Sequence, residues 1–344
     1  MAQLAIDYHG SGVFKPREYE PVAPGAGEVQ IAVAYTGICG TDLTISHGGM
    51  DGRVKSPWPI GHEMSGIVAE VGEGVDGWAV GDKVTVMPLD WCGKCPACRA
   101  GNTHICHHLN FVGIDSPGSL QDRWNVKAGW LVRLPEDLDL RTAALVEPVA
   151  VAVHDVNRAQ VTAGDKVAVI GGGPIGLLIA VIARSRGAEV LLSEVAASRL
   201  ELAGALGFTT VNPTSDDLVE VVTEWTDGAG ADIAFEVSGS VPGVKAMTDV
   251  LRRRGQGVIV GIQPVAPPVD VFGIFWKELQ IIGARVYRRA DFEEAVKLVA
   301  EGTIPTDGLI SDVMPLAETG SAIQRLDSGE DVIKLLIASR ADWS

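Results

Sequence analysis

Lys166-Val167-Ala168-Val169-Ile170-Gly171-Gly172-Gly173-Pro174-Ile175-Gly176 is the stretch that decides how this chain folds. An apolar run of strand length enters a glycine turn, and Leu177-Leu178-Ile179-Ala180 leaves it with helical character. A Gly-x-Gly-x-x-Gly match is weak by itself, but between a strand and a helix each glycine has a task. Gly171 makes the tight turn, Gly173 lets the backbone approach a pyrophosphate, and Gly176 lets helix pack on strand. Pro174 and Ile175 open the helix, whose N-terminus favours phosphate charge, and complete the candidate contacts to a dinucleotide.

Glu194 ends the next strand, 23 positions after Gly171. A carboxylate there accepts hydrogen bonds from ribose hydroxyls and repels a 2′-phosphate, so NAD is expected rather than NADP. Arg199 is the one basic neighbour that could instead accommodate a phosphate.

Around this stretch, residues 151–285 alternate apolar strands with helical segments, the pattern of a doubly wound parallel sheet. The expected strands are Lys166 to Gly171, Glu189 to Glu194, Asp232 to Val237, Gly257 to Ile262 and Leu279 to Ala284. Val260 and Ile262, at the end of the fourth, are further candidate cofactor contacts. Residues 1–150 read differently, with many Gly and Pro and short alternating strands such as Val29 to Val33 and Gly66 to Val71, a β-rich, barrel-like domain. A helix over Asp291 to Glu301 and a strand over Val332 to Ala338 are expected in 286–344, which should return to the first domain.

The 344 residues suit two domains, and 47% hydrophobic with 21% charged residues is a globular composition. A formal net charge of -16 argues against nucleic acid or an anionic membrane as partner. The apolar stretch Val167 to Ala183 is interrupted by glycines and a proline, which suits a strand and helix better than a membrane span. The first residues lack the basic and apolar segments of a signal peptide, so a soluble, cytoplasmic protein is expected.

Four of the five cysteines, Cys92, Cys95, Cys98 and Cys106, lie within fifteen positions. Four thiolates so spaced reach the corners of one tetrahedral zinc at about 2.3 Å each, leaving no open position, so the site holds a loop and does no chemistry. An iron–sulfur cluster and four unligated thiols are the weaker readings. His104, His107 and His108 are expected to be exposed loop residues.

The fifth cysteine, Cys39, lies in Gly37-Ile38-Cys39-Gly40-Thr41-Asp42, and Gly61-His62-Glu63 follows. A thiolate, an imidazole and a carboxylate are the donors of an open catalytic zinc. Glu147, in the apolar run Leu145-Val146-Glu147-Pro148, needs a partner such as a metal.

Gly61-His62-Glu63-Met64-Ser65-Gly66, then Gly72, Val75 and Gly81-Asp82-Lys83-Val84, resembles the zinc signature of the medium-chain alcohol dehydrogenases. Cys39-Gly40-Thr41-Asp42 and the cysteine cluster match the same family in order, so the resemblance covers nearly the whole chain. Glu147-Pro148-Val149-Ala150-Val151 is similar to the sorbitol-type polyol, butanediol and threonine dehydrogenases, whereas the liver-type branch has a cysteine at Glu147. The resemblance implies a GroES-like β-barrel catalytic domain, a Rossmann cofactor domain, two zinc ions per chain, NAD and a homodimer or homotetramer. It implies that Cys39 and His62 bind the catalytic zinc directly and that Glu63 and Glu147 are direct, exchangeable or water-mediated ligands. It also implies that Thr41 starts the proton relay and that Arg199 contacts the adenosine.

The implied reaction is oxidation of a secondary alcohol, a polyol or sugar alcohol, by hydride transfer to NAD, and its reverse. L-Threonine and 2,3-butanediol are the alternative substrates, and a dinucleotide-binding protein without turnover is the non-enzymatic alternative. A zinc-free quinone reductase would lack the zinc ligands, which are present. Thr44 replaces the relay histidine of many relatives, with His47 nearby, Asp122-Arg123 stands where many have Glu-Tyr, and Val286 precedes Tyr287 where sorbitol-type enzymes carry an arginine. Ile45, Trp58 and Phe111 are candidate pocket residues.

Overall fold

The structure is a computed structural model that describes residues 2–55, 57–330 and 332–339. It divides into two compact units, Met1–Glu147 with Arg288–Ser344, and Pro148–Tyr287.

The first unit is built on a seven-stranded sheet. Its long strand Glu28–Gly37 is buried along nearly its whole length, because it pairs antiparallel with Glu63–Val71, with Arg123–Lys127 and with Lys334–Ala338. The last pairing sets Leu336 opposite Gly37, so the C-terminal segment does return to this sheet. Val29, Ile31, Val33, Met64, Val68, Val84 and Trp124 form its core. The same register brings Glu63 opposite Gly37, two residues before Cys39.

The second unit holds six parallel strands in the order Thr209–Val211, Glu189–Ser193, Lys166–Ile170, Ala231–Glu236, Leu251–Ile259, Gln280–Gly283. The expected α/β architecture is present, with one strand more than the five read from sequence. Thr209–Val211 has only three residues and no apolar run to announce it. The fourth expected strand also needs correction. It runs over Leu251–Ile259 and stops before Val260, because the N–H groups of Val260 and Gly261 turn back to the carbonyl oxygen of Glu236, both at 2.9 Å. The helix expected from Asp291 spans Arg289–Ala300.

The chain enters this sheet at Lys166–Ile170, builds outward on one side, then crosses to Ala231–Glu236 on the other. Such a reversal opens a crevice at the carboxyl ends of the two central strands, and Gly171 stands at that point.

Candidate metal centres and dinucleotide crevice

Cys39 precedes the helix Gly40–Ser46, and its N–H donates to Asp42 Oδ2 at 2.9 Å in a capping arrangement. Gly61 adopts φ 100°, a left-handed conformation that favours glycine, and turns the chain into the strand that carries Glu63. A Cβ at Gly37 would collide with the Glu63 carboxylate, so glycine there makes room for it. These local choices bring donor atoms of Cys39, His62 and Glu63 within 4.8 Å of one another.

The surroundings are buried and acidic. Asp42, His62, Glu63 and Glu147 are all nearly inaccessible. Lys334 donates from Nζ to both oxygens of Glu63, at 2.9 and 2.7 Å, and to the carbonyl of Ile38 at 3.0 Å. Burial opposes the charge on Lys334, but Glu63, Cys39 and Glu147 outweigh it and raise its pKa. Burial likewise works against a charged His62, yet Cys39, Asp42 and Glu147 lift it to about 10. The raised pKa values of Lys334 and His62 both mark a surplus of negative charge among these buried donors, which a divalent cation would offset. Among the described residues His62 Nδ1 has no hydrogen-bond partner, with Asp42 Oδ1 3.9 Å away. The thiolate, imidazole and carboxylate set therefore fits a zinc ion with an open position.

Glu147, in the first turn of Val146–Ala159, lies outside the group of three but close enough for its charge to raise His62 and Lys334. Thr41 is half-buried in the first turn of its helix, whereas Thr44 is exposed and its hydroxyl donates to Gly40 O at 3.2 Å. His47 is exposed and paired with Asp327 at 2.9 Å. Phe111 sets an edge against the His62 ring with centroids 5.2 Å apart, Ile45 is wholly buried, and Trp58 is half-buried. Val286 takes φ 49° and Tyr287 is buried.

Two members of this constellation had no role from sequence. Asp42 was visible in the Cys-Gly-Thr-Asp segment without its cap to Cys39 being evident. Lys334 carried a readable signal, a lone cation at the head of the apolar strand Lys334–Ala338.

The four remaining cysteines meet as expected, their Sγ atoms within 4.8 Å of one another and unlinked by disulfides. Cys95 and Cys106 are 3.8 Å apart and Cys106 and Cys92 3.5 Å. Tetrahedral zinc with bonds of about 2.3 Å requires sulfur separations near 3.8 Å. Backbone N–H groups of Cys98 and His107 point at Cys95 Sγ and pull its pKa to about 6, while burial and the neighbouring sulfurs push Cys98 to about 12. Four thiols this close cannot all ionise without a cation between them, and zinc supplies that charge. His107 and His108 are exposed, but His104 is buried, contrary to expectation, because its short helical turn Thr103–Ile105 tucks it inward.

In the second unit, Gly171 takes φ 107° and a Cβ there would lie 2.8 Å from Ser238 N. A Cβ at Gly176 would strike the Gly171 carbonyl oxygen, whereas one at Gly173 meets nothing closer than 3.8 Å. Gly173 caps the helix Pro174–Ser185 without any side chain, so the first N–H groups, beginning at Ile175, have no side-chain cap. Open backbone and unpaired helix donors fit a pyrophosphate. Glu194 is buried beside them. Its Oε2 accepts the Gly172 N–H at 2.7 Å, its Oε1 accepts those of Val195 and Ala196 at 2.6 and 2.9 Å, and Arg199 lies 3.7 Å off. Val260 follows its strand, and Ile262 is strongly exposed.

Comparison with known proteins agrees with this chemistry. Residues 25–136 match the alcohol dehydrogenase GroES-like domain and residues 174–301 the zinc-binding dehydrogenase domain. The chain is 52% identical over 339 residues, 98% of its length and 99% of the relative's, to 2-dehydro-3-deoxy-L-galactonate 5-dehydrogenase of Pseudoalteromonas atlantica. It is 37% identical to sorbitol dehydrogenase of Halalkalibacterium halodurans, covering 98% and 99%. Among solved structures it superposes on 2R,3R-butanediol dehydrogenase of Bacillus subtilis with a TM-score of 0.90 at 31% identity, covering 98% and 99%. A Sinorhizobium meliloti zinc-binding dehydrogenase bound to NADP gives a TM-score of 0.93 at 32% identity, again covering 98% and 99%.

Proposed function

The chain belongs to the zinc-containing medium-chain alcohol dehydrogenases, polyol branch, and from that premise we propose that it oxidises a secondary hydroxyl of a polyhydroxylated substrate with NAD, using Cys39, His62 and Glu63 as its zinc ligands. The observation that carries the reading is the meeting of those three donors within 4.8 Å, with His62 and Glu63 buried and Cys39 partly so.

Zinc bound there would supply Lewis acidity, lowering the pKa of a substrate hydroxyl and polarising the matching carbonyl, and a bound nicotinamide would supply the hydride acceptor. Cys39, His62 and Glu63 would hold the ion, and Lys334, donating to both Glu63 oxygens, would keep that carboxylate in place. Glu147, outside the three but close enough for its charge to raise His62 and Lys334, would serve as an exchangeable or water-mediated ligand. The Thr41 hydroxyl would relay the substrate proton, accepting it while passing its own on towards solvent, and His47, paired with Asp327 at the surface, is not needed for that first step. Cys92, Cys95, Cys98 and Cys106 hold a second, structural zinc.

Gly171, Gly173, Pro174, Ile175 and Gly176 receive the pyrophosphate, Val260 and Ile262 the nicotinamide, and Arg199 the adenosine. Glu194, its carboxylate pinned beside Gly172, accepts a ribose hydroxyl and repels a 2′-phosphate, which supports NAD over NADP.

The full-length similarity to a dehydrogenase of a 3-deoxy sugar acid supports a sugar acid as the first substrate to test, ahead of sorbitol, 2,3-butanediol and L-threonine. A homodimer or homotetramer is supported by the helix Val271–Lys277, which leaves Phe272, Phe275 and Trp276 exposed. Five unpaired cysteines support a reducing, cytoplasmic setting.

Metal analysis with an assay of NADH and NADPH formation over those four substrates tests this reading. Two zinc ions per chain and turnover preferring NAD with a sugar acid or polyol are expected. Dinucleotide binding without turnover on any of them would favour the non-enzymatic alternative.

A further inference from the structure

Glu236 ends the strand Ala231–Glu236 and is wholly buried. Among the described residues its side chain meets three donors and no Lys, Arg or His. Oε1 accepts the Ser238 hydroxyl at 2.5 Å and the Gly239 N–H at 3.0 Å, and Oε2 accepts the Gln263 side-chain amide at 2.8 Å. The Gly239 N–H can only donate, and the Ser238 hydroxyl and Gln263 amide are turned to donate as well, a shell that suits a carboxylate.

The residue ties together two loops at the carboxyl edge of the sheet. Its side chain fixes the Ser238-Gly239 turn that abuts Gly171, while its carbonyl oxygen receives the N–H groups of Val260 and Gly261. The space around it is closed: a Cβ at Gly243 would stand 2.6 Å from Oε1 and one at Gly261 2.8 Å from Oε2. A buried carboxylate without a cation is costly, and such groups concentrate where their field acts on a ligand.

We propose that Glu236 positions the nicotinamide end of the dinucleotide and that its buried negative charge favours the oxidised ring, which is cationic, over the reduced ring, which is neutral. This rests on reading the crevice as the dinucleotide site.

Glu236→Gln removes the charge at nearly constant shape. Among the described residues Gln263 Oε1 is buried without a partner, so a flip of that amide lets it accept from the new N–H and keeps the loop anchored. Gln263→Lys is a second, independent variant that neutralises the charge by placing a cation against it. The measurement is dissociation constants of the full chain for NAD+, by calorimetry, and for NADH, by fluorescence, alongside thermal unfolding. In each variant that folds, the ratio of NAD+ to NADH dissociation constants should rise, on the order of tenfold for Glu236→Gln, because NAD+ binding weakens more than NADH binding. An unchanged ratio, whether both affinities fall together or neither moves, overturns the proposal. A wild-type chain that binds neither dinucleotide overturns the crevice reading and this inference with it.

Discussion

Lys334 Nζ lies 2.9 and 2.7 Å from the two oxygens of Glu63, and both side chains are buried. The pair joins the last described strand of the chain to the strand that carries the zinc signature, across 271 positions of sequence. Replacing Lys334 by Met leaves a buried carboxylate without its cation, a loss of roughly 3–5 kcal/mol when one partner of a buried pair is removed. Thermal unfolding should begin several degrees lower and zinc at the Cys39 site should fall. A melting curve and zinc content equal to wild type would contradict the role given to the pair.

Asp42 acts through its neighbours, pinning the Cys39 N–H at 2.9 Å and facing His62 at 3.9 Å. Groups that orient metal ligands typically change metal affinity 10–100-fold when lost. Asp42→Asn keeps an oxygen for the cap but removes the charge, so zinc dissociation measured by competition with a chelator should be faster within that range. An unchanged rate would leave Asp42 as a helix cap alone.

Much of this arrangement is legible in the sequence, and what is not has identifiable causes. The glycine turn, Glu194 and both cysteine groups are local signals, since spacing along one segment fixes the chemistry. The strand Thr209–Val211 was too short to show periodicity, and the end of Leu251–Ile259 depended on a distant acceptor, Glu236 O. His104 looked like one of three loop histidines because burial in an irregular segment has no period to read. That Glu63 lies within 4.8 Å of Cys39 and His62 depends on sheet register, a tertiary feature that spacing along one segment does not carry.

Gly176→Ala tests the dinucleotide turn, because its Cβ would strike the Gly171 carbonyl oxygen and the helix must shift. Overpacking of this kind costs about 1–3 kcal/mol. NADH affinity, followed by fluorescence, should fall at least tenfold while zinc content stays at wild-type level. Unaltered NADH binding would remove the helix N-terminus from the site.

Cys95→Ser breaks the four-sulfur set at the residue that receives N–H groups from both Cys98 and His107. One zinc per chain should be lost, and limited proteolysis should cut within 92–106 where the wild type resists. Retention of two zinc ions would show that this cluster is not the structural site.

The central claim is that Cys39, His62 and Glu63 hold the zinc that performs the oxidation. Cys39→Ser, assayed for zinc content, NADH binding and NAD+ reduction together, tests it most directly. The account predicts one zinc per chain instead of two, NADH binding unchanged, and turnover of the best substrate reduced below detection. Turnover comparable to wild type with the Cys39 site empty would contradict it.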